Sequence, residues 1–307
     1  MSTKQIEPLN NDTLRRFAPS IFAAQPLPGV SDRYSFLPTI EVVEGLRSNG
    51  WLPVKASEQR IRLSAREGFQ KHVIRFQRAS DIATGEQEAM RFAPSEHRIV
   101  KGEARPEVVL VNSHDRSSAY QIHAGLFRLV CSNGLIIADA TFAKVSVRHV
   151  DFRPENVIAA SFRVTEQIPQ IMGKVEEFRA HRLTDIERRA FAEAALLLKY
   201  DALETAPVSA EKILEARRSA DSDSSLWTTF NTVQENLVNG NQKDYGRRLP
   251  VEGSEYRKRR APRTRAVNGI DNNVKLNKAL WHLAETLRAG GTPSDAQDFE
   301  RFAVASN

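Results

Sequence analysis

The chain has 307 residues, of which 41% are hydrophobic and 27% are charged. This length and composition allow a full hydrophobic core, either in one large domain or in two smaller ones. A single cysteine, Cys131, excludes a disulfide framework or a cysteine-based zinc site within the chain and fits a reducing cytoplasm. No apolar run reaches the length of a membrane span, and the first residues lack the apolar segment of a signal peptide. We therefore expect a soluble, cytoplasmic protein that does not enter a membrane.

Residues 1–35 predict an N-terminal extension, because they are rich in proline, asparagine and glutamine and have few apolar anchors. Residues 36–164 predict an α+β domain, with a largely antiparallel sheet and helices on one face. Strands are expected at 51–56, 59–64, 71–78, 107–112, 135–140, 142–150 and 156–164. The segment 107–112 is apolar on both faces, so we expect it to be a central strand that is covered on both sides.

Two helices are predicted within this domain. Thr39 is expected to cap the first, which ends near residue 49. The second is expected to follow a polar turn, to begin at Ser117 or Ser118 and to end near residue 133.

From residue 165 to residue 290 the apolar pattern becomes helical. Thr184 and Glu187 predict a capping box at the start of one helix. The other predicted helix caps are Ser209, Ser224 or Ser225, and Asp271. Residues 291–307 predict a short polar tail.

Between the last two predicted helices, residues 241–266 contain nine Lys or Arg residues and three acidic ones. This segment, the arm, therefore carries the whole formal net charge of +6. It has no apolar repeat that would bury a helix or strand face, so we predict a solvated cationic segment. Such segments bind polyanions, because each neutralised phosphate releases condensed counterions. The alternative is a solvated charge run that only links two helices.

Two tyrosines strengthen the first interpretation, because aromatic rings among arginines allow stacking on unpaired bases beside backbone phosphates. We predict a nucleic-acid site, with DNA favoured, from the cations and tyrosines of the arm. They are Lys243, Tyr245, Arg247, Arg248, Tyr256, Arg257, Lys258, Arg259, Arg260, Arg263 and Arg265.

The seven histidines offer one candidate metal site, in which His114, Asp115 and His123 converge on one cation. The alternative is a turn-forming Asp115 with a half-buried His123. Ser113, His114 and Asp115 are the residue types of a catalytic triad, but adjacent side chains point apart and cannot relay a proton. No glycine-rich phosphate-binding motif is present. We therefore predict no cofactor, no metal and no catalytic residue.

Several stretches resemble the DUF932 family, also described as phage/plasmid-like proteins. They are 38–51, 68–76, 111–115, 118–120, 125–134, 226–237 and 263–271. The Asn-Ser-His-Asp turn at 112–115 and the Trp-Thr-Thr-Phe-Asn sequence at 227–231 are the most specific. The resemblance spans most of the chain and implies a protein carried by phages, plasmids or integrative elements. It brings no catalytic residue with it.

Three functional hypotheses follow. The first is a non-catalytic binder of single-stranded DNA in replication or recombination of a mobile element. A strand-annealing version of it would form a homo-oligomer, an idea that rests on fold analogy only. The second is a metal-dependent nuclease or hydrolase that uses His114, Asp115 and His123. The third is a protein-binding inhibitor of host defence, with a host or element-encoded protein as its partner.

Overall fold

The computed structural model describes residues 7–29, 36–60, 64–83, 104–128, 134–136, 145–147, 155, 159, 162–164, 166–218, 221–245 and 262–292. The chain divides into two compact units, Met1–Ile168 and Pro169–Asn307. No helix in the described part of the chain has the length and apolar character needed to cross a membrane.

The first unit is built on a six-stranded sheet in which every neighbouring pair of strands is antiparallel. The strands are β1 (Trp51–Glu58), β2 (His72–Arg78), β3 (Ala104–Asn112), β4 (Tyr120–Arg128), β5 (Gly134–Ile136) and β6 (Val145–Val147). Their order is β1-β2-β3-β4-β5, and β6 also pairs with β4. The helices of this unit are α1 (Asn11–Phe17), α2 (Thr39–Ser48) and α3 (Ala79–Ala83), with 3₁₀ turns at Pro19–Phe22 and Ser64–Arg66. The predicted α+β class is confirmed.

Strand β3 lies between β2 and β4, and its residues from Glu107 to Asn112 are all buried. The prediction of a central strand covered on both sides is therefore confirmed. A charged pair is buried on one of its faces. The Nε and Nη2 atoms of Arg75 on β2 donate to the carboxylate of Glu107 at 2.5 and 2.8 Å, and Gln77 Nε2 donates to the same carboxylate at 2.8 Å. Because each group lies beside the other, neither charge is left uncompensated in the interior.

The predicted helix from Ser117 or Ser118 to residue 133 is wrong, since residues Tyr120–Arg128 form strand β4. This strand pairs with β3 over eight consecutive positions, from Ala104 opposite Arg128 to Val111 opposite Gln121. Residues on both faces of the strand are buried, with Tyr120, Ile122, Ala124 and Leu126 on one face and His123 and Gly125 on the other. Because Ile122 and Leu126 also have a helical spacing, this short alternation does not by itself separate a strand from a helix.

Of four other strand predictions, two include a strand and two are wrong in their described parts. The described parts of 135–140 and 142–150 include strands β5 and β6. In contrast, residues 155, 159 and 162–164 are helical, so the predicted strand at 156–164 is wrong where the structure describes it. The strand predicted at 59–64 is also wrong in its described part, because β1 ends at Glu58 and a 3₁₀ turn starts at Ser64.

The second unit is helical. Its helices are α4 (Ile168–Ala180, beginning one residue before the boundary between the units), α5 (Asp185–Leu197), α6 (Ala210–Leu214), α7 (Leu226–Asn239) and α8 (Ile270–Arg288). The capping box of Thr184 and Glu187 is present, and Ser209 and Ser225 cap α6 and α7 as predicted. The cap of α8 is Gly269 and not Asp271, whose carboxylate lies in the first turn of the helix.

Helix α7 is buried around its whole circumference, from Leu226 to Val238. Seven of these residues are polar, and burial of a polar group is costly unless it finds a hydrogen-bond partner. Glu235 accepts two bonds from Arg218, at 2.9 and 2.6 Å, and Gln234 donates to Asn277 of α8 at 2.9 Å. These side-chain bonds fix the neighbours of α7 in position as well as compensating its polar groups.

A buried hydrogen-bonded chain holds α2 against the sheet in the first unit. Thr39 does not cap α2, because the helix begins at Thr39 itself and Pro38 is its cap residue. The Thr39 hydroxyl instead faces the sheet, where Asn112 Nδ2 donates to it at 2.9 Å. His72 Nε2 lies 2.9 Å and His114 Nε2 lies 3.1 Å from the same oxygen.

The contacts assign the tautomers of both histidines. Ser20 Oγ donates to Glu58 at 2.8 Å, and the His72 Nδ1 atom lies 2.9 Å from Ser20 Oγ and 3.2 Å from the Gln70 carbonyl oxygen. His72 Nδ1 therefore carries the hydrogen and Nε2 accepts from the Thr39 hydroxyl. The Thr39 hydroxyl thus donates one hydrogen bond, to His72 Nε2. Its oxygen accepts two, from Asn112 Nδ2 and from His114 Nε2–H. A second proton on His72 would point at the Thr39 hydroxyl proton.

Burial lowers the pKa of His72 to about 4. As pH falls from 6.5 towards 4, the unfolded chain gains a proton that the folded chain does not bind, so the stability of the first unit falls. We expect His72 to remove about 2 to 3 kcal/mol of unfolding free energy between pH 7 and pH 4.5. His72→Gln keeps a donor and an acceptor but does not titrate, so its stability should depend less on pH by this amount.

Urea unfolding measures this difference if Trp51 is the reporter, in a Trp227→Phe, Trp281→Phe background that removes the tryptophans of the second unit. Trp51 is buried on β1 and reports the first unit. If the stability–pH curves with and without the His72→Gln substitution run parallel, the assignment of a neutral, buried imidazole is contradicted.

Candidate nucleic-acid interface

Helix α7 ends at a glycine whose backbone touches the far end of the arm. Gly240 has φ +60° and ψ −149°, a conformation that L side chains rarely adopt. A Cβ atom built on Gly240 would lie far inside van der Waals contact with backbone atoms of Arg265 and Ala266. The chain that leaves α7 and the chain that returns to α8 therefore cross here, backbone against backbone.

Backbone hydrogen bonds extend this contact into a short antiparallel ladder. The Asn241 amide donates to the Thr264 carbonyl at 2.8 Å, and the Thr264 amide donates to the Gln242 carbonyl at 3.0 Å. Lys243 and Arg263 form an antiparallel bridge one step further out. The Val267 amide closes the other end by donating to the Val238 carbonyl at 2.8 Å. We call residues 240–245 and 262–267 the arm base.

Two side chains, Lys199 and Asn236, hold the arm base on α7. The Lys199 ammonium donates to the Leu237 carbonyl at 2.9 Å and to the Arg265 carbonyl at 2.5 Å. Burial lowers the pKa of Lys199 to about 8, so the group is still mainly charged at pH 7. A cation at the last turn of α7 also complements the negative end of the helix dipole.

Asn236, in the last turns of α7, is the second anchor. Its Oδ1 atom accepts from Gln242 Nε2 at 2.7 Å and from Arg217 Nε at 2.8 Å. Its Nδ2 atom donates to the Ile213 carbonyl at 2.8 Å. A buried amide that is saturated in this way fixes the start of the arm in one position.

Four of the eleven predicted site residues belong to the described part of the arm. Tyr245 is 81% exposed, Arg263 and Arg265 are exposed, and Lys243 is half-buried. In the part of the chain that the structure describes, no carboxylate forms an ion pair with any of these three cations. The remaining seven, Arg247, Arg248, Tyr256, Arg257, Lys258, Arg259 and Arg260, lie outside the described residues.

The sequence does not point to Lys199, Asn236, Gly240 or Thr264 as parts of this site. The pair Asn239-Gly240 predicts only a helix stop, which is correct but incomplete. No local signal could show that Gly240 meets the returning chain 25 residues later, because that contact depends on tertiary structure. Lys199 gives an equally weak signal, as one cation at the end of an apolar helix.

The candidate metal site of His114, Asp115 and His123 does not form. His123 on β4 pairs with Val109 on β3, whereas the next pair along is Ile122 with Leu110. Leu110 shares a sheet face with Asn112 and its partner His72, so His123 lies on the other face of the sheet. His114 contacts His72, with ring centroids 5.4 Å apart, and therefore belongs to the other face. Among the described residues no group of three or more His, Cys, Asp or Glu could hold a metal ion.

Asp115 forms a turn, as its alternative interpretation proposed. Its Oδ1 atom accepts from the Ser117 amide at 3.0 Å, and Arg66 lies 3.6 Å from its carboxylate. Partial burial opposes ionisation of Asp115, but the hydrogen bonds from Ser117 and Ser113 and the charge of Arg66 outweigh it and lower the pKa. The carboxylate thus stabilises the loop between β3 and β4.

The contact at Gly240 predicts a large effect for Gly240→Ala. The matched control is Gly290→Ala, because Gly290 also has a positive φ of +80° but has open space where an added methyl group would lie. The control should cost about 1 to 2 kcal/mol of unfolding free energy through backbone strain. Gly240→Ala should cost about 1 to 3 kcal/mol more, through the steric clash.

Hydrogen exchange locates the effect, since Gly240→Ala should speed exchange of the Asn241 and Thr264 amides while Gly290→Ala leaves them protected. If both variants lose the same stability and protect both amides equally, the close crossing of the two chains is incorrect.

Comparison with known proteins places this architecture in a family. The family described as Domain of unknown function (DUF932) matches residues 26–281. Two curated proteins of Escherichia coli (strain K12), UPF0380 protein YfjQ and UPF0380 protein YafZ, are each 34% identical over 280 residues, which is 91% of this chain and 92% of each relative. No solved structure matches the chain. The chain belongs to the DUF932 family.

Proposed function

We propose that this protein binds nucleic acid through the arm, with single-stranded DNA as its ligand, and that binding does not involve catalysis. The observation that carries the proposal is the arm base. Both ends of a strongly cationic segment are fixed on α7, and no carboxylate among the described residues forms an ion pair with Lys243, Arg263 or Arg265. An arm that served only as a solvated linker would need no such anchoring.

Closure of the arm concentrates its charge. The bridge between Lys243 and Arg263 joins the ends of the 19 residues from 244 to 262, which include six of the nine cations. Fixing the ends of a segment lowers its conformational entropy before any ligand arrives, so less entropy remains to be lost on binding. The phosphate chain then gains from the release of counterions at several sites together.

The cellular role that we propose is replication or recombination of a phage, plasmid or integrative element, in the cytoplasm. It rests on the resemblance of the chain to phage/plasmid-like proteins, since the names of the relatives state no activity. A strand-annealing role in a homo-oligomer extends this proposal by fold analogy.

Polarisation of a fluorescent single-stranded oligonucleotide at two or more salt concentrations tests the proposal. Binding should weaken as salt rises, and a variant with alanine at Arg257, Lys258, Arg259 and Arg260 should bind more weakly. If all four contact phosphate, the slope of log K against log salt should fall by about 3.

A control variant removes the same charge from another surface of the second unit. Arg179, Arg182, Arg188 and Arg189 each lie beside a carboxylate, at 2.9 to 3.7 Å. Their replacement by alanine should leave most of the affinity and the salt slope intact. If both variants lose the same DNA affinity, the arm contributes only through the net charge of the protein. If the unsubstituted protein does not bind DNA, the proposal is wrong.

A further inference from the structure

Two side chains of the arm base point into the second unit. The Asp244 carboxylate accepts a hydrogen bond at 3.1 Å from the amide of Ser209, the cap residue of α6. Thr264 on the returning chain is 1% exposed, and its hydroxyl oxygen accepts from the Gln242 amide at 3.0 Å. These inward contacts define the inner face of the arm base.

Lys243, Arg263 and Arg265 flank these two residues and lie on the outer face, because successive side chains of an extended chain alternate. The bridge places Lys243 directly opposite Arg263, so these cations share one face. Tyr245 follows Asp244 in a turn, where this alternation does not apply, and its side chain faces solvent because it is 81% exposed. We call these four residues the platform.

The platform brings positive charges close together. Opposed residues in an antiparallel pair have Cβ atoms about 5 Å apart, and like charges at such positions are destabilising. Arg263 and Arg265 are two residues apart on an extended chain, a separation of about 6.7 Å. Because none of these cations has a carboxylate partner among the described residues, an anionic ligand would relieve the repulsion between them.

Tyr245 supplies a different kind of contact. Its ring is 81% exposed, although tyrosine gains from burial of its apolar ring surface. A ring that stands beside cations suits stacking with a nucleobase, and every base has a face on which a ring can stack. In the interior of a duplex both faces of a base are covered by its neighbours, so along the strand only an unpaired base offers this surface.

We propose that the platform selects single-stranded over double-stranded nucleic acid, with Tyr245 stacked on an unpaired base while Lys243, Arg263 and Arg265 hold the adjoining phosphates. This inference rests on the proposed function and adds the residue that sets its strand preference. The arm as a whole supplies attraction to phosphate, which both kinds of strand share, whereas the platform supplies a contact that a duplex cannot make.

The test compares Tyr245→Ala with Tyr245→Phe on a single-stranded oligonucleotide and on a blunt duplex of the same length. Tyr245→Ala should lower the single-strand affinity between about 5-fold and 150-fold, the range expected for loss of one stacked base. Its duplex affinity should change less than 2-fold. Tyr245→Phe keeps the ring and should retain the single-strand affinity.

Ile186→Ala serves as a control, since Ile186 is 82% exposed and lies on α5, away from the arm in sequence. It should change neither affinity. Hydrogen exchange at Asn241 and Thr264 confirms that the arm base of each variant is intact.

The outcomes separate this inference from the proposed function. If the unsubstituted protein binds DNA but Tyr245→Ala weakens both ligands equally, or neither, the platform does not select the strand. If the unsubstituted protein binds neither ligand, the proposed function itself fails. A second variant, Lys243→Gln with Arg263→Gln, should lower the single-strand salt slope by about 1.4, and an unchanged slope would show that these cations do not contact phosphate.

Discussion

Complete burial of α7 is the constraint on which the second unit depends. A helix enclosed on all sides must find internal partners for its polar side chains, because water cannot supply them. Asn236 obtains its partners from Arg217, Gln242 and the Ile213 carbonyl. Lys199 supplies the missing donor for the Leu237 carbonyl near the end of the same helix. Both sets of bonds reach the arm base, so the demands of the core determine where the cationic segment is attached.

In the first unit, buried polar side chains between α2 and the sheet also obtain their hydrogen-bond partners from one another. Thr39, His72, Asn112 and His114 are buried together, and their hydrogen bonds meet at the Thr39 hydroxyl. All four residues fall within stretches that carried the resemblance to DUF932. Their arrangement joins α2 to strands β2 and β3 and to the loop that follows β3. These four residues of the resembling stretches therefore hold α2 against the sheet.

Features of the chain that depend on neighbouring residues could be predicted from the sequence. The capping box of Thr184 and Glu187 and the caps at Ser209 and Ser225 follow from side-chain bonds within three residues. Strand β4 could not be recognised, since its alternation is short and Ile122 and Leu126 also have a helical spacing. The composition of the arm reveals its cations. The crossing at Gly240 and the anchor at Lys199 join residues that are distant in sequence, so no local pattern predicts them.

The arm base also makes the stability of the second unit nearly independent of the number of residues between Lys243 and Arg263. The entropic cost of joining two ends grows only with the logarithm of the number of residues between them, so doubling the 19 residues beyond the bridge would cost about 0.6 kcal/mol. Insertions, deletions and substitutions between Lys243 and Arg263 should therefore change the unfolding free energy of the second unit only slightly. The length of the chain between these two residues can therefore change while α7 and α8 keep their packing.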